Sequence, residues 1–369
     1  MSVTRFAIPE EKKMSQAHVL TARSALPSAT AGRPSEIVIA RRRVSPTVVF
    51  DTYWEFAARR QAVYEARVAG KSGPWTDDPI LQAHRFTNCF RAADRVSQYL
   101  ISEVLYAGDA DPAEVVFRAL LFKMFNKVST WELLRAELGQ LTWAEFDHAV
   151  YDTILGRALA SGQRLYSAAY VIPPPKFGAA RKHTNHLRLL DHMMSTDVPG
   201  QLQNAATMRQ AFKTLRAFPG MGDFLAFQFL IDLNYSEVLD FDEMDFVVAG
   251  PGARDGLRKC FGPQAAGIEA DLIRYMADTQ ETHFERLGLD FGGLRGRPLQ
   301  LIDCQNLFCE VDKYARVAHP DVAGISGRSR IKQKFTAVDQ PVPAWFPPKW
   351  GINDEYPAVS SRRSPLVAV

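Results

Sequence analysis

Residues 211–230 read AFKTLRAFPGMGDFLAFQFL, and the order of apolar residues and glycines in this stretch sets the expected fold. Its apolar spacing predicts two helices joined by a tight turn at Phe218–Gly222. Gly220 and Gly222 can adopt backbone conformations that are closed to other residues. Without side chains, they leave the free amides at the start of the second helix open to an anion, where the helix dipole is positive. The turn therefore predicts a seat for a phosphate group; a plain corner between two helices is the alternative.

A second glycine turn, at Gly250–Ala253, also leads into a predicted helix, and basic residues follow it closely. Phosphate seats of this kind hold DNA without regard to its base sequence. A simple connector is the alternative for this turn as well. The predicted phosphate-binding residues of the two turns are Gly220, Met221, Gly222, Gly250, Gly252, Arg254 and Lys259.

The composition of the 369-residue chain is that of an ordinary globular protein, with 47% hydrophobic and 23% charged residues. The net charge is only +3, so overall charge is weak evidence for a nucleic-acid partner. No segment is long and apolar enough to span a membrane, and the N-terminus lacks the apolar region of a secretory signal. These features predict an intracellular protein, in the cytoplasm or, in a eukaryote, in the nucleus.

Four cysteines, Cys89, Cys260, Cys304 and Cys309, form no closely spaced pair. The histidines likewise lack the spacing of metal ligands. We therefore expect reduced thiols packed in the core, no metal site and no cofactor. The sequence leaves open one bound ion, a monovalent cation at the hairpin turn.

Helical periodicity and proline content divide the chain into a body and two tails. The tails lack periodicity, and a run of three prolines at Pro173–Pro175 interrupts the body. The sequence thus predicts a mostly α, two-lobed fold. The parts are a flexible N-terminal tail (1–45), a helical body (46–325) with lobes at about 46–172 and 176–325, and an irregular Pro-rich C-terminal tail (326–369).

Two polar sets on predicted helices are candidates for a base pocket. Asp78 and Pro79 predict the start of a long helix that runs to about Tyr106 and carries a polar stripe. A second predicted helix, at 299–317, carries amides and charged groups of the type that contact the edge of a base. Exposed helix faces are the alternative for both sets. The predicted pocket residues are Arg85, Asn88, Arg91, Gln305, Asn306, Glu310, Lys313 and Tyr314.

Gly70-Lys71-Ser72 resembles the end of a phosphate-binding P-loop, but the rest of that motif is absent. Its first glycine would fall at Glu65, and the preceding segment is predicted to be a helix instead of a strand. The backbone amides of this loop could not form the phosphate cradle. We therefore expect no P-loop kinase chemistry at this segment.

The hairpin at Phe218–Gly222 resembles that of the helix-hairpin-helix DNA glycosylase superfamily. Members of that superfamily carry a catalytic Asp beyond the second helix of the hairpin, which indicates Asp242, with Asp240 and Asp245 as competitors. Phe224 stands where bifunctional members have a Schiff-base Lys, so lyase chemistry is not expected. In such a site the carboxylate stabilises positive charge on the deoxyribose after the base has been flipped from the stack. Helix capping and surface solvation are the alternatives for these acids.

Five segments resemble a narrower family, the helical domain associated with 5-hydroxymethyluracil DNA kinases, which is related to thymine pyrophosphorylases of DNA hypermodification. They read WEFAARR (54–60), GPWTDDPIL (73–81), HRFTNCFR (84–91), FVVAGPGA (246–253) and DCQNLFCEVDKY (303–314). The resemblance implies a glycosylase-like fold used on modified thymine bases. It also implies replacement of an activated 5-hydroxymethyl group by an amine or amino acid.

Three functions remain open on this sequence. The first is a base-flipping enzyme that substitutes the 5-substituent of a thymine-derived base in double-stranded DNA, beside a separate DNA-base kinase or hydroxylase. The second is a monofunctional DNA glycosylase that cleaves the N-glycosidic bond. The third is a noncatalytic DNA-binding module.

Overall fold

The computed structural model describes residues 32–168, 172–337, 342 and 344–355. These residues form fourteen α-helices and one two-stranded sheet, so the prediction of a mostly α fold is confirmed. The helices are α1 (Val48–Val68), α2 (Pro79–Ala83), α3 (Arg95–Tyr99), α4 (Pro112–Phe125), α5 (Val128–Leu138), α6 (His148–Ala160), α7 (Lys182–Ser195), α8 (Val198–Gln203), α9 (Met208–Arg216), α10 (Asp223–Asn234), α11 (Pro251–Phe261), α12 (Glu269–Asp278), α13 (Gln280–Arg286) and α14 (Leu301–Ala318).

A short antiparallel hairpin precedes the helices, with strands β1 (Ile37–Ile39) and β2 (Arg42–Val44). Val44 is fully buried, and the Arg42 side chain donates a hydrogen bond to the Ala266 carbonyl at 2.8 Å. The predicted end of the flexible N-terminal tail is therefore too late in the sequence, because residues from Ile37 to Val44 pair as strands and pack on the body. Residues 1–31 of that predicted tail lie outside the described residues.

Helix α1 packs against α11 and α14 and ties the start of the chain to its second half. Thr47 caps α1 by accepting a hydrogen bond from Val49 N, and its own amide donates to the Cys260 carbonyl at the end of α11. Phe50 and Tyr53 of α1 contact Phe261 and Phe308. Because these contacts cross the predicted boundary at 172–176, the two predicted lobes are not separate packing units.

Close packing between α11 and α14 depends on Gly256. A Cβ atom at this position would lie 2.0 Å from the carbonyl oxygen of Phe308, far inside van der Waals contact. Glycine is therefore required for the two backbones to approach as they do. This contact fixes the position of α14, which carries several of the predicted pocket residues.

The predicted long helix from Pro79 to Tyr106 is broken in the structure, and this prediction was wrong. Asp78 and Pro79 do start α2, with the Asp78 side chain accepting from Ile80 N, but the helix ends at Ala83. Residues 84–90 form no helix, and backbone groups of the C-terminal segment take the hydrogen bonds at the start of this stretch. Arg85 N donates to Gln333 O, and His84 forms a bridge with Lys334.

The C-terminal segment packs on the body as far as it is described. Ile331, Phe346 and Ile352 are buried. Trp345 N donates to the Gln98 side chain at 2.8 Å, and the Trp350 ring lies edge-on to Tyr235. The described residues 344–352 are therefore anchored to the body through their apolar side chains, although the sequence predicted an irregular tail from residue 326.

No helix within the described ranges combines the length and apolar character that a membrane span requires.

Candidate functional site

The turn between α9 and α10 has the shape that its glycines predicted. Gly220 adopts a left-handed backbone conformation (φ +81°), and Met221 is buried beneath the turn. Gly222 is the N-cap residue of α10, and no side chain caps the amides of the first helical turn. A Cβ atom at Gly222 would meet nothing within 4 Å, so the approach to these amides is open. Asp223, an acid in the first turn of α10, opposes anion binding at these amides. Its carboxylate pairs with Arg216 at 2.5 Å.

The second glycine turn lies directly beside the first. A Cβ atom at Gly250 would come within 2.5 Å of the Phe224 ring on α10, so the start of α11 packs against the start of α10. Gly252 is similarly close to Cys309 of α14. Arg254 is exposed at this end of α11. The two glycine turns therefore lie side by side, with Gly222 and Arg254 exposed and Gly250 buried.

Lys259 departs from its predicted role in phosphate binding. Its side chain is only 2% exposed, and its Nζ lies 3.1 Å from Oδ1 of Asp312 in α14. The same Nζ donates to the Asp312 carbonyl at 3.0 Å, and Arg316 also pairs with the Asp312 carboxylate. Lys259 thus holds α11 against α14, because its helix position turns it toward the core instead of the surface.

The three predicted catalytic acids lie on the exposed loop after α10. Asp242 caps the following turn by accepting from Met244 N at 2.8 Å, and the side chain of Asp240 is 88% exposed. Asp245 is also exposed. Their catalytic roles stay predictions, since exposed, solvated carboxylates at a loop also suit the capping alternative.

A different carboxylate in this loop is buried. The Glu243 side chain pairs with Arg297 at 2.8 Å and is 6% exposed. Burial raises its pKa from 4.5 to about 7, the Arg297 charge opposes that shift, and nearby Asp303 adds to it. The sequence spacing that indicated Asp242 did not indicate Glu243. The environment of Glu243 depends on Arg297, which is distant in the sequence.

Three of the predicted pocket residues on α14, Asn306, Glu310 and Lys313, lie where α14 faces residues 84–90. Asn306 donates to Thr87 Oγ1 and to the Asn88 carbonyl, both at 3.1 Å. Glu310 accepts from Thr87 N at 2.9 Å and pairs with Lys313 at 2.5 Å. These polar side chains hold residues 84–90 against α14, and their role in contacting a base stays a prediction.

The remaining pocket residues divide between two other places. Tyr314 donates from its hydroxyl to Asp78 at 2.7 Å, at the start of α2. The side chain of Arg85 is exposed, whereas Arg91 and Gln305 are buried farther inside. The predicted polar stripe of Arg85, Asn88, Arg91 and Arg95 does not exist, because these residues are not on one helix.

Arg91 belongs to a buried charged network that the sequence did not reveal. Asp232 of α10 lies between two cations, 2.6 Å from Arg91 Nη2 and 2.7 Å from Lys123 Nζ of α4. Arg91 Nε also donates to Gln228 at 3.1 Å, and Gln228 in turn donates to Gln305. The network thus joins α4, α10 and α14 at one point.

The charges of this network are strongly affected by their surroundings. Burial lowers the pKa of Lys123 to about 8, and the charge of Asp232 opposes that shift. Asp303, which accepts from Arg91 N at 2.8 Å, has its pKa raised by burial to about 6. A charged residue within an otherwise apolar run, such as Lys123 in ALLFKMF, is the signal by which the sequence could have indicated the network.

The described residues contain no candidate metal site, because no three His, Cys, Asp or Glu side chains are grouped closely enough to hold a metal ion. All four cysteines are free thiols. Burial raises the pKa of Cys89 to about 12, so this thiol is protonated and unreactive.

Comparison with known proteins assigns this helical body to a family. A family model described as "5-hmdU DNA kinase, helical domain" matches residues 47–324. The chain therefore belongs to the family of 5-hmdU DNA kinase helical domains, and the resemblance noted in the sequence is confirmed at this level.

One curated relative is named "5-hmdU DNA kinase" and comes from Bacillus phage SP10. It is 24% identical over 288 residues, and the match covers 72% of this chain and 45% of the relative. The chain thus spans less than half the length of that relative. No solved structure gives a significant match.

Proposed function

We propose that this chain binds double-stranded DNA and substitutes the 5-substituent of a base derived from 5-hydroxymethyluracil. The observation that carries the proposal is the family match over residues 47–324, which includes both glycine turns, the buried network and α14. The 5-hydroxymethyluracil substrate is taken from the name of the curated relative. A DNA substrate also favours an intracellular location.

DNA contact is proposed at the surface formed by the two glycine turns. The uncapped amides of α10, the open space at Gly222 and the exposed Arg254 support a seat for the phosphate backbone. Amides at a helix start and a nearby guanidinium both stabilise a phosphate oxygen. Contacts of this type give affinity and register without base preference.

In the proposed reaction, the target base is flipped out of the duplex and an amine attacks the carbon of its activated 5-methylene group. The C–O bond to the phosphate ester breaks, and the phosphate leaves with the bonding electrons. A C–N bond forms, and the amine proton passes to a carboxylate, for which Asp242 is the first candidate. A separate kinase would supply the phosphate ester, and a hydroxylase the hydroxymethyl group.

Mass spectrometry of nucleosides tests the proposal. The chain is incubated with duplex DNA that contains 5-hydroxymethyluracil or its phosphorylated form, with and without ATP and a mixture of amines. A new amine-bearing nucleoside from the phosphorylated DNA supports the proposal. Free base with an abasic site indicates a glycosylase instead, and unchanged DNA that is nevertheless bound indicates a noncatalytic module. ATP-dependent phosphorylation by this chain alone would contradict the proposed need for a separate kinase.

A further inference from the structure

A cleft of about 600 Å³ opens between the second half of α1, the loop at 72–76, α2 and the C-terminal segment near Phe335. This volume is within the roughly 300–1,000 Å³ of small-molecule pockets. The cleft shares no lining residue with the two glycine turns, with the acids at 240–245 or with the predicted base pocket. It is therefore a further cavity, although Arg60 and Phe86 of its lining contact the predicted base-pocket residues Asn88 and Tyr314.

One side of the cleft is cationic. Arg60, about two turns before the end of α1, and Arg67, in its last turn, line it together with His84, and no Asp or Glu is among the described lining residues. Arg60 is 9% exposed, and its Nη1 has no hydrogen-bond partner among the described residues. The same holds within these ranges for Nε of Arg67 and Nδ1 of His84.

The environment of Arg60 favours an anion. Its other terminal nitrogen donates to Asn88 Oδ1, a neutral group, at 2.5 Å. Burial lowers the pKa of Arg60; the carboxylates of Asp94 and Glu310 oppose that shift, and the like charge of Arg67 adds to it. A buried guanidinium with an unsatisfied donor costs free energy, and a bound phosphate oxygen would offset that cost.

Aromatic rings also line the cleft. Trp75, Phe86 and Phe335 line it, with the Trp75 and Phe335 rings edge to face at 6.4 Å. The guanidinium of Arg67 lies over the indole of Trp75, 5.0 Å from its centroid. A flat aromatic ligand can stack on such rings, and a cation beside them strengthens binding of an anionic ligand. The cleft thus combines a surface for a planar ring with donors for a phosphate.

We infer that this cleft binds a nucleoside phosphate, with its base against Trp75 and its phosphate at Arg60 and Arg67. The inference does not rest on the proposed function, since a free nucleotide and a nucleotide at the end of a DNA strand present the same two groups. It adds a ligand site to the fold that is distinct from the surface of the glycine turns.

Isothermal titration tests the site with thymidine 5′-monophosphate as the probe and with thymidine and inorganic phosphate as partial ligands. The nucleotide binds at least about tenfold more tightly than either partial ligand, because only it engages both the arginines and the aromatic rings of the cleft. Arg67→Gln and Trp75→Leu each weaken nucleotide binding by about tenfold or more. Lys71→Gln is the matched control, since it removes a cation from the same loop that does not line the cleft.

Competition with a short single-stranded oligonucleotide distinguishes the two sources of the ligand. Displacement of the nucleotide identifies the cleft as a site for a DNA strand, and lack of displacement identifies it as a site for a free nucleotide. The inference is overturned if the wild-type chain shows no saturable binding of the nucleotide up to about 1 mM. It is equally overturned if circular dichroism shows either cleft variant folded and that variant binds the nucleotide as the Lys71→Gln control does.

Discussion

Lys123 and Asp232 form an ion pair of 2.7 Å between α4 and α10, and neither side chain is more than 3% exposed. Arg91 approaches the same carboxylate at 2.6 Å. Asp232→Asn would leave two buried cations without their shared counterion. We expect this variant to lose about 3–5 kcal/mol of unfolding free energy, as measured by urea denaturation.

The control for that variant is Glu137→Gln, which breaks the exposed pair of Glu137 with Arg157. An exposed pair contributes less than about 1 kcal/mol. Equal losses in Asp232→Asn and Glu137→Gln would show that the buried pair does not stabilise the junction of α4 and α10.

Glu243 makes stability depend on pH in a defined direction. Its pKa is raised from 4.5 to about 7 in the folded protein, so the folded state holds the proton more tightly than the unfolded state does. The resulting contribution to stability is complete below pH 4.5 and is lost as the pH rises through about 7. Glu243→Gln removes this contribution while keeping an oxygen that can accept from Arg297.

Urea denaturation from pH 4 to pH 8 compares the two chains. The difference in unfolding free energy between wild type and Glu243→Gln should fall as the pH rises through this window. A difference that stays constant with pH would show that the pKa of Glu243 is not raised by folding.

Gly222 allows the phosphate seat to be tested without disturbing the fold. Its φ of −70° is accessible to any residue, and a Cβ atom there would meet nothing within 4 Å. Gly222→Leu should therefore keep the stability of wild type but weaken DNA binding by about tenfold for every DNA sequence alike. Fluorescence anisotropy with unrelated duplexes measures this effect, and a loss confined to one sequence would contradict the proposed seat.

Gly292→Leu provides the matched control, because Gly292 is equally open but lies in neither glycine turn. Gly220 is less suitable for this test. Its positive φ and the neighbouring Pro175 would strain any side chain, so fold and binding would change together.

Asp242→Asn tests the predicted catalytic acid. Asn can still accept the hydrogen bond from Met244 N, so the loop should keep its structure. We expect the variant to bind DNA with unchanged affinity and to form no product in the nucleoside assay. Asp240→Asn and Asp245→Asn serve as comparisons, and full activity of Asp242→Asn would exclude this residue as the catalytic acid.

Gly256→Ala tests the contact between α11 and α14. The added methyl group would overlap the Phe308 carbonyl, so the helices must separate. We expect a loss of about 1–3 kcal/mol or more in unfolding free energy, with a lower thermal midpoint. An unchanged midpoint would show that the two helices can move apart without cost.

Local signals in the sequence determined the helical class, the α9–α10 turn and the position of α14. A helix requires only residues within about one turn of each other, and caps such as Asp78 act over the same range. The turn between α9 and α10 is likewise predicted from its glycines and the residues next to them in the sequence. The motifs in residues 48–320 also indicated the family correctly.

Tertiary structure alone decided which polar residues are buried and what they contact. Residues 84–90 form no helix because their hydrogen-bond partners include Gln333 and Glu310, which are distant in the sequence, and Lys259 is buried because Asp312 lies on another helix. The Asp232 network and the cleft at Arg60 each combine residues that are far apart in the chain. Burial and charge pairing depend on distances in space, which no pattern of neighbouring residues specifies.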